Sequence, residues 1–180
     1  MMNADDGAAS TPTYASFLSR LLAAVIDTLV LLLPTLIIVL ILEPEIFSAG
    51  EDFRGKSITY TALAALWAGY QGGMESSRFQ ATVGKLAVRA YVTDLHGNRL
   101  SFSTAVYRCW PMYIMNVVQG VQTAAENVFR FDLGGAVYFG TFITTVVSCL
   151  YVLWSPKNQG LHDQMCGTLV MRRHAPPGPA

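Results

Sequence analysis

Apolar residues fall in four long stretches separated by polar ones. The first, residues 21–42, reads LLAAVIDTLVLLLPTLIIVLIL, with only Asp27, two threonines and Pro34 interrupting 22 positions. At 1.5 Å per helical residue that run spans about 33 Å, enough for the ~30 Å hydrocarbon core of a bilayer. A helix from about Phe17 to Leu42 is expected, with Pro34 as a candidate kink. Residues 58–75, ITYTALAALWAGYQGGME, form a second stretch near the short end for a span. Its rows Ala65, Gly69, Gly73 and Ala64, Ala68, Gly72 suit close helix packing in lipid. Residues 104–123 are apolar but hold Arg108, Asn116 and two glutamines, which fits either a third span or an amphipathic interfacial helix. Residues 136–154 form the fourth stretch, closed by the interfacial aromatics Tyr151 and Trp154. Between the second and third lies LAVRAYVTDLHGNRLSF, in which Leu86, Val88, Ala90 and Val92 alternate with polar neighbours before an HGN turn, a β-hairpin pattern.

Composition agrees with lipid as the solvent. Hydrophobic residues make up 52% and charged residues 13%, about half the ~25% charged share of soluble domains. Twelve basic and twelve acidic side chains cancel, so no global field recruits nucleic acid. Residues 1–16 carry Asp5 and Asp6 but no Lys or Arg, unlike a secretory signal, and the first helix is expected to be an uncleaved anchor. Cys109, Cys149 and Cys166 lack CxxC spacing and read as small hydrophobes rather than as disulfides or zinc ligands.

Charge placement suggests a topology. Segment 43–57 has Glu43, Glu45, Glu51 and Asp52 against Arg54 and Lys56, a net of −2. Segment 76–103 has Arg78, Lys85, Arg89 and Arg99 against Asp94, a net of +3, and segment 155–180 nets +2. The positive-inside tendency puts the first outside and the other two in the cytoplasm, which takes an even number of crossings. The expected fold is an all-α membrane protein: a four-helix transmembrane bundle with a short cytoplasmic β-hairpin between helices 2 and 3. Residues 1–16 would be a disordered cytoplasmic N-terminus, 17–174 the transmembrane domain and 175–180 a disordered tail. Three spans with residues 104–123 on the surface, or three with an inverted tail, are the alternatives.

A carboxylate at the centre of a membrane helix costs roughly 2.5–3.5 kcal/mol on insertion scales, so Asp27 needs a partner, a proton or a water-filled cavity. Arg20, seven residues earlier, points toward the interface and away from it. Arg108 on the third span is the expected partner of Asp27, and Arg20 that of Asp163 in GLHDQMCGT. Glu75 and Arg78 close the second span at the same level, making three charges of each sign. Two readings stay open: Asp27 binds a cation or carries a proton, or satisfied ion pairs merely fix helix register. Gly84-Lys85 lacks the spacing of a phosphate loop. His162-Asp163 has no nucleophile in motif context, so His162 reads as a satisfied loop histidine. No enzyme activity, cofactor or metal site is expected.

Three segments carry a resemblance: FLSRLLAAVIDTLVLL, ATVGKLAVRAYVTDLHGNRLSFSTAVYR and SPKNQGLHDQMCGTLVM. In this order they resemble the RDD family of small integral membrane proteins, whose named arginine and two aspartates match Arg20, Asp27 and Asp163. The resemblance covers most of residues 16–171. It implies a mostly prokaryotic protein of the cytoplasmic (inner) membrane, often proposed to take part in transport, and some relatives look like cation/proton antiporters; the charge pattern above makes it multi-pass with both termini inside. The long acidic external segment 43–57 departs from the pattern. So does Trp110-Pro111, where an irregularity of the third helix is expected. The leading expectation is a transporter exchanging monovalent cations for protons at Asp27, tuned by Arg20, Arg108 and Asp163. Four short helices are few for such a path, so a homo-oligomer is expected. The rival is a non-catalytic accessory or scaffold subunit that binds another membrane protein.

Overall fold

The computed structural model describes residues 13–43, 53–129 and 134–173. The first helix, α1, covers Phe17–Leu42 as expected and runs unbroken through Pro34. Ser16 caps it by accepting from the Ser19 amide, which satisfies one of the orphan donors of the first turn. Helix α2 is Phe53–Ser76 and the short α3 is Val83–Ala87. The expected third helix is two: α4 (Phe102–Arg108) and α5 (Trp110–Phe129), parted at Cys109. Pro111 is the cause, since it has no N–H to donate and its ring excludes a carbonyl one turn back, so it sits instead in the first turn of α5. Helix α6 (Gly134–Leu150) runs into a 3₁₀ turn at Tyr151–Leu153, and α7 is Leu161–Met165.

Two strands, β1 (Ala90–Asp94) and β2 (Thr168–Arg172), pair antiparallel with Val92 opposite Val170. This corrects the expected local hairpin. The HGN turn does form: the Asp94 carboxylate accepts from the amides of His96 and Asn98, and Gly97 takes φ +84°. Beyond it, however, Ser101 becomes the N-cap of α4, so the chain enters a helix where the second strand would begin. Leu86 falls in α3 rather than in a strand. The partner comes from TLVMR near the C-terminus. The N-terminal segment joins too: Ala15 N donates to Val170 O at 2.9 Å and Arg172 N to Thr13 O at 2.8 Å. Residues 13–16, expected to be disordered, therefore close this small sheet. Residues 1–12 and the expected tail 175–180 lie outside the described residues, as does most of the acidic segment 43–57.

Helix α2 is central, packing most extensively on α5 and also on α4 and α1, while α6 packs on α5. Among the described residues α1 and α6 have at most a marginal contact. Burial runs opposite to that of a soluble domain. Glu75, Asp163, Thr59, Thr82, Thr168 and Ser148 are among the largest fully buried side chains, whereas Leu18, Leu29, Leu33, Ile41, Phe139 and Phe142 are exposed. On α1 only Ala23, Asp27 and Leu31 are buried, a stripe at i, i+4, i+8. Among the described residues α1 alone is both long and apolar enough to cross a membrane by length and composition, with a mean hydropathy of 2.8 over its most apolar window. The apolar core of buried residues is small and sits at the sheet, where Ala15, Ala90, Val92, Leu100, Ala105 and Val170 meet.

Candidate functional site

Asp27 is 2% exposed. Its Oδ1 accepts from the Tyr70 hydroxyl at 2.7 Å and the Gly84 amide at 2.7 Å, and its Oδ2 from the Thr82 hydroxyl at 2.6 Å. The segment Thr82-Val83-Gly84-Lys85 thus wraps a carboxylate of its own chain. Thr82 also caps α3 by accepting from the Lys85 amide, and Tyr70 accepts from the Val83 amide at 3.1 Å. Glycine is required at 84 by proximity. A Cβ there would collide with the Ala23 carbonyl and lie 2.9 Å from the Asp27 carboxyl carbon.

Arg108 is not bonded to Asp27, contrary to expectation. It is 3% exposed and divides its donors elsewhere: Nη1 reaches Glu75 Oε2 at 2.5 Å, Nη2 lies 2.7 Å from Asp163 Oδ1 as an ion pair, and Nε donates to Thr168 Oγ1 at 3.1 Å. The reason is chemical. Glu75 and Asp163 are fully buried carboxylates that need cations, whereas Asp27 is already satisfied by neutral donors. The expected Arg20–Asp163 pair is present, with Nη1 at 2.5 Å from Oδ2. Arg20 Nη2 also donates to the Asn158 carbonyl at 2.6 Å, and Asn158 adopts φ +48°. Lys85 pairs with the other Glu75 oxygen. The result is one chain, Lys85–Glu75–Arg108–Asp163–Arg20, tying α1, α2, α3, α4 and α7 together. Arg78 is outside it. It is exposed and stacks over the neighbouring Phe79 ring at 5.0 Å, because α2 ends at Ser76 and the chain turns away before it.

His162 bridges Ser148, 3.1 Å from Nδ1, and Asp163 Oδ1, 3.5 Å from Nε2. Burial pushes its pKa down to about 4, with Arg108 and Arg20 adding to the effect against the pull of Asp163. Burial would raise Asp163, but the guanidiniums of Arg108 and Arg20 outweigh it and hold the carboxyl well below the usual range.

These groups border a cavity of about 140 Å³ whose wall includes Arg20, Asp27, Gln71, Lys85, Arg108 and His162, with Leu21, Met112 and Cys149 as apolar wall. Glu75 and Asp163 are fully buried and are not on that wall. Among the described residues no group of three or more His, Cys, Asp or Glu side chains is placed to hold a metal ion. Sequence reasoning missed Tyr70, Thr82, Lys85 and Thr168. Only the TVGK turn carried a visible signal, and its role as a cradle for Asp27 depends on a contact 55 residues away.

Residues 14–167 match the family model described as RDD family. No curated protein and no solved structure matches the chain.

Proposed function

This chain belongs to the RDD family, and on that premise we propose that it is a small multi-pass transport protein of the cytoplasmic membrane in which Asp27 carries a proton. The observation that carries this reading is a buried aspartate on the wall of a cavity, held by two hydroxyls and one amide and, among the described residues, bonded to no cation. A proton suits that carboxylate better than a metal cation. A metal ion needs several oxygen ligands, and here it would replace an N–H contact and share the wall with Arg20, Lys85 and Arg108. Exchange of a monovalent cation for the proton is the reaction the resemblance implies, with the cation bound elsewhere on the path. Helices α1, α2, α5 and α6 would supply four crossings, both termini being cytoplasmic. Gly69 and Gly73 on α2 have no atom near a would-be Cβ, which leaves room for a helix of a second copy in a homo-oligomer.

A second reading has its own observation. Asp27, Glu75 and Asp163 balance Arg20, Lys85 and Arg108, and Asp27 already has three donors, so nothing has to move in a non-catalytic accessory or scaffold subunit. Proteoliposomes separate the two. Proton flux driven by a sodium or potassium gradient, abolished in a folded Asp27→Asn variant, is the transport outcome. Wild-type vesicles silent to every monovalent cation and proton gradient would leave the accessory role.

A further inference from the structure

The charges of the network are not evenly presented to the cavity. Arg20, Lys85 and Arg108 border it, Asp27 is the one carboxylate that does, and His162 on the same wall is held neutral. Glu75 and Asp163, which neutralise the cations, stand behind the wall with no exposed surface. A group entering the cavity therefore meets three positive charges and one negative charge, a net of +2. Arg20 also keeps a buried Nε–H without an acceptor among the described residues. Apart from Gln71, the remaining wall is apolar, with Phe17 and Leu21 of α1, Met112 of α5, Cys149 of α6 and Val152 just after it. Leu21, on that wall, is 48% exposed, so the wall is open on the α1 side.

We propose that this cavity binds a singly charged anionic group, a carboxylate or phosphate ester, carried on an apolar chain, and that the anion enters together with a proton. Size sets the division of the ligand. A cavity of about 150 Å³ holds a benzene-sized molecule, so about 140 Å³ accommodates the head group and the first few carbons. The rest of the chain lies against the exposed leucines of α1. Charge sets the coupling. The six ionised groups sum to zero, an added anion makes −1, and one proton entering with it restores neutrality in a site where an uncompensated charge is costly. The coupling rests on the transport reading above; the binding site does not.

The test uses the full chain in nanodiscs of zwitterionic phosphatidylcholine, titrated calorimetrically with octanoate, octylammonium and octanol, with empty nanodiscs as the partition control. Octanoate is expected to bind saturably and at least tenfold more tightly than the other two. Repeating the titration in buffers of different ionisation enthalpy should show uptake of about one proton per anion. Lys85→Gln should weaken octanoate about tenfold. Met112→Trp, which fills the cavity and removes no charge, should abolish binding while the thermal transition is retained, so the result does not depend on a charge variant that unfolds. Nanodiscs containing phosphatidylglycerol distinguish the sources: competition with octanoate identifies a lipid head group as occupant, and undiminished binding identifies a free amphiphile. Equal binding of all three probes, or octanoate binding that survives Met112→Trp, overturns the proposal. Saturable octanoate binding without proton flux in proteoliposomes sinks the transport reading alone. Proton flux in a protein that binds no anion sinks this inference alone.

Discussion

Asp27 and Asp163 are both buried aspartates, yet they are solvated by opposite chemistry. Asp163 accepts the Gly160 amide at 3.0 Å and sits between two guanidiniums, Arg20 at 2.5 Å and Arg108 at 2.7 Å. Asp27 is held by two hydroxyls and an amide. A carboxylate between two cations is fixed in its charged form, because losing the charge would strand both partners. One held by neutral donors loses only part of three hydrogen bonds on protonation, since a protonated carboxyl still accepts at one oxygen. The first is suited to holding helices in register. Under the proposed function the second is the one that changes state, and two of its three donors come from one short turn, so such a change would be felt first by residues 82–85.

The largest effect should therefore come from the fixed region. Arg108→Met removes the cation shared by Glu75 and Asp163 and leaves two fully buried carboxylates under-compensated. Breaking such a pair typically costs ~3–5 kcal/mol, and unfolding in detergent monitored by circular dichroism should show a loss of that order. A loss below about 1 kcal/mol would mean that water reaches the network and that the contrast with Asp27 is overdrawn.

Next comes Gly84→Ala, which pushes a methyl group toward the Ala23 carbonyl and the Asp27 carboxyl. Overpacking of this kind costs ~1–3 kcal/mol. It also separates α3 from α1, so proton flux should fall together with stability. Asp27→Asn should cost less, about 1 kcal/mol, because the amide oxygen can still accept from the Tyr70 hydroxyl and the Gly84 amide while the Thr82 hydroxyl rotates to receive the new N–H. Flux should vanish in this variant while the thermal transition moves little. If Asp27→Asn destabilised the protein as much as Arg108→Met, the two aspartates would be structural equals.

What could be read in advance follows the same division. The extent of α1 and the Arg20–Asp163 pair were legible because a long apolar run and a stranded charge each leave few alternatives. The partner of Arg108 was not. Its assignment to Asp27 followed from membrane depth alone, and depth does not tell which carboxylates already have neutral donors. Strand β1 was visible in its alternation, but the alternation of TLVMR near the other end of the chain competes for it, and Ser101 decides the contest by capping a helix. Lys85 looked like part of a failed phosphate loop, since nothing local reveals that Glu75 lies within its reach.

The smallest effect sharpens the comparison from the side of Asp163. His162 faces Asp163 and Ser148 and is surrounded by Arg108, Arg20 and Lys85. Its pKa is lowered from 6.5 to about 4 in the folded state, so the unfolded chain binds the proton first. Stability is complete above pH 6.5, falls as the pH drops from there toward 4, and levels off below that as far as this residue is concerned. Between pH 7 and 6 the loss is less than about 1 kcal/mol, measurable as a fall in the midpoint of chemical unfolding. His162→Gln should flatten the curve over this window, leaving acid sensitivity only at the lower pH where Asp163 itself becomes protonated. Asp94 adds nothing at pH 6–7: its carboxyl is held low chiefly by the Asn98 amide, and it lies far below that window. If the His162→Gln curve kept the wild-type slope between pH 7 and 6, the imidazole would not be held neutral by its cationic neighbours, and the +2 wall assigned to the cavity would have to be counted again.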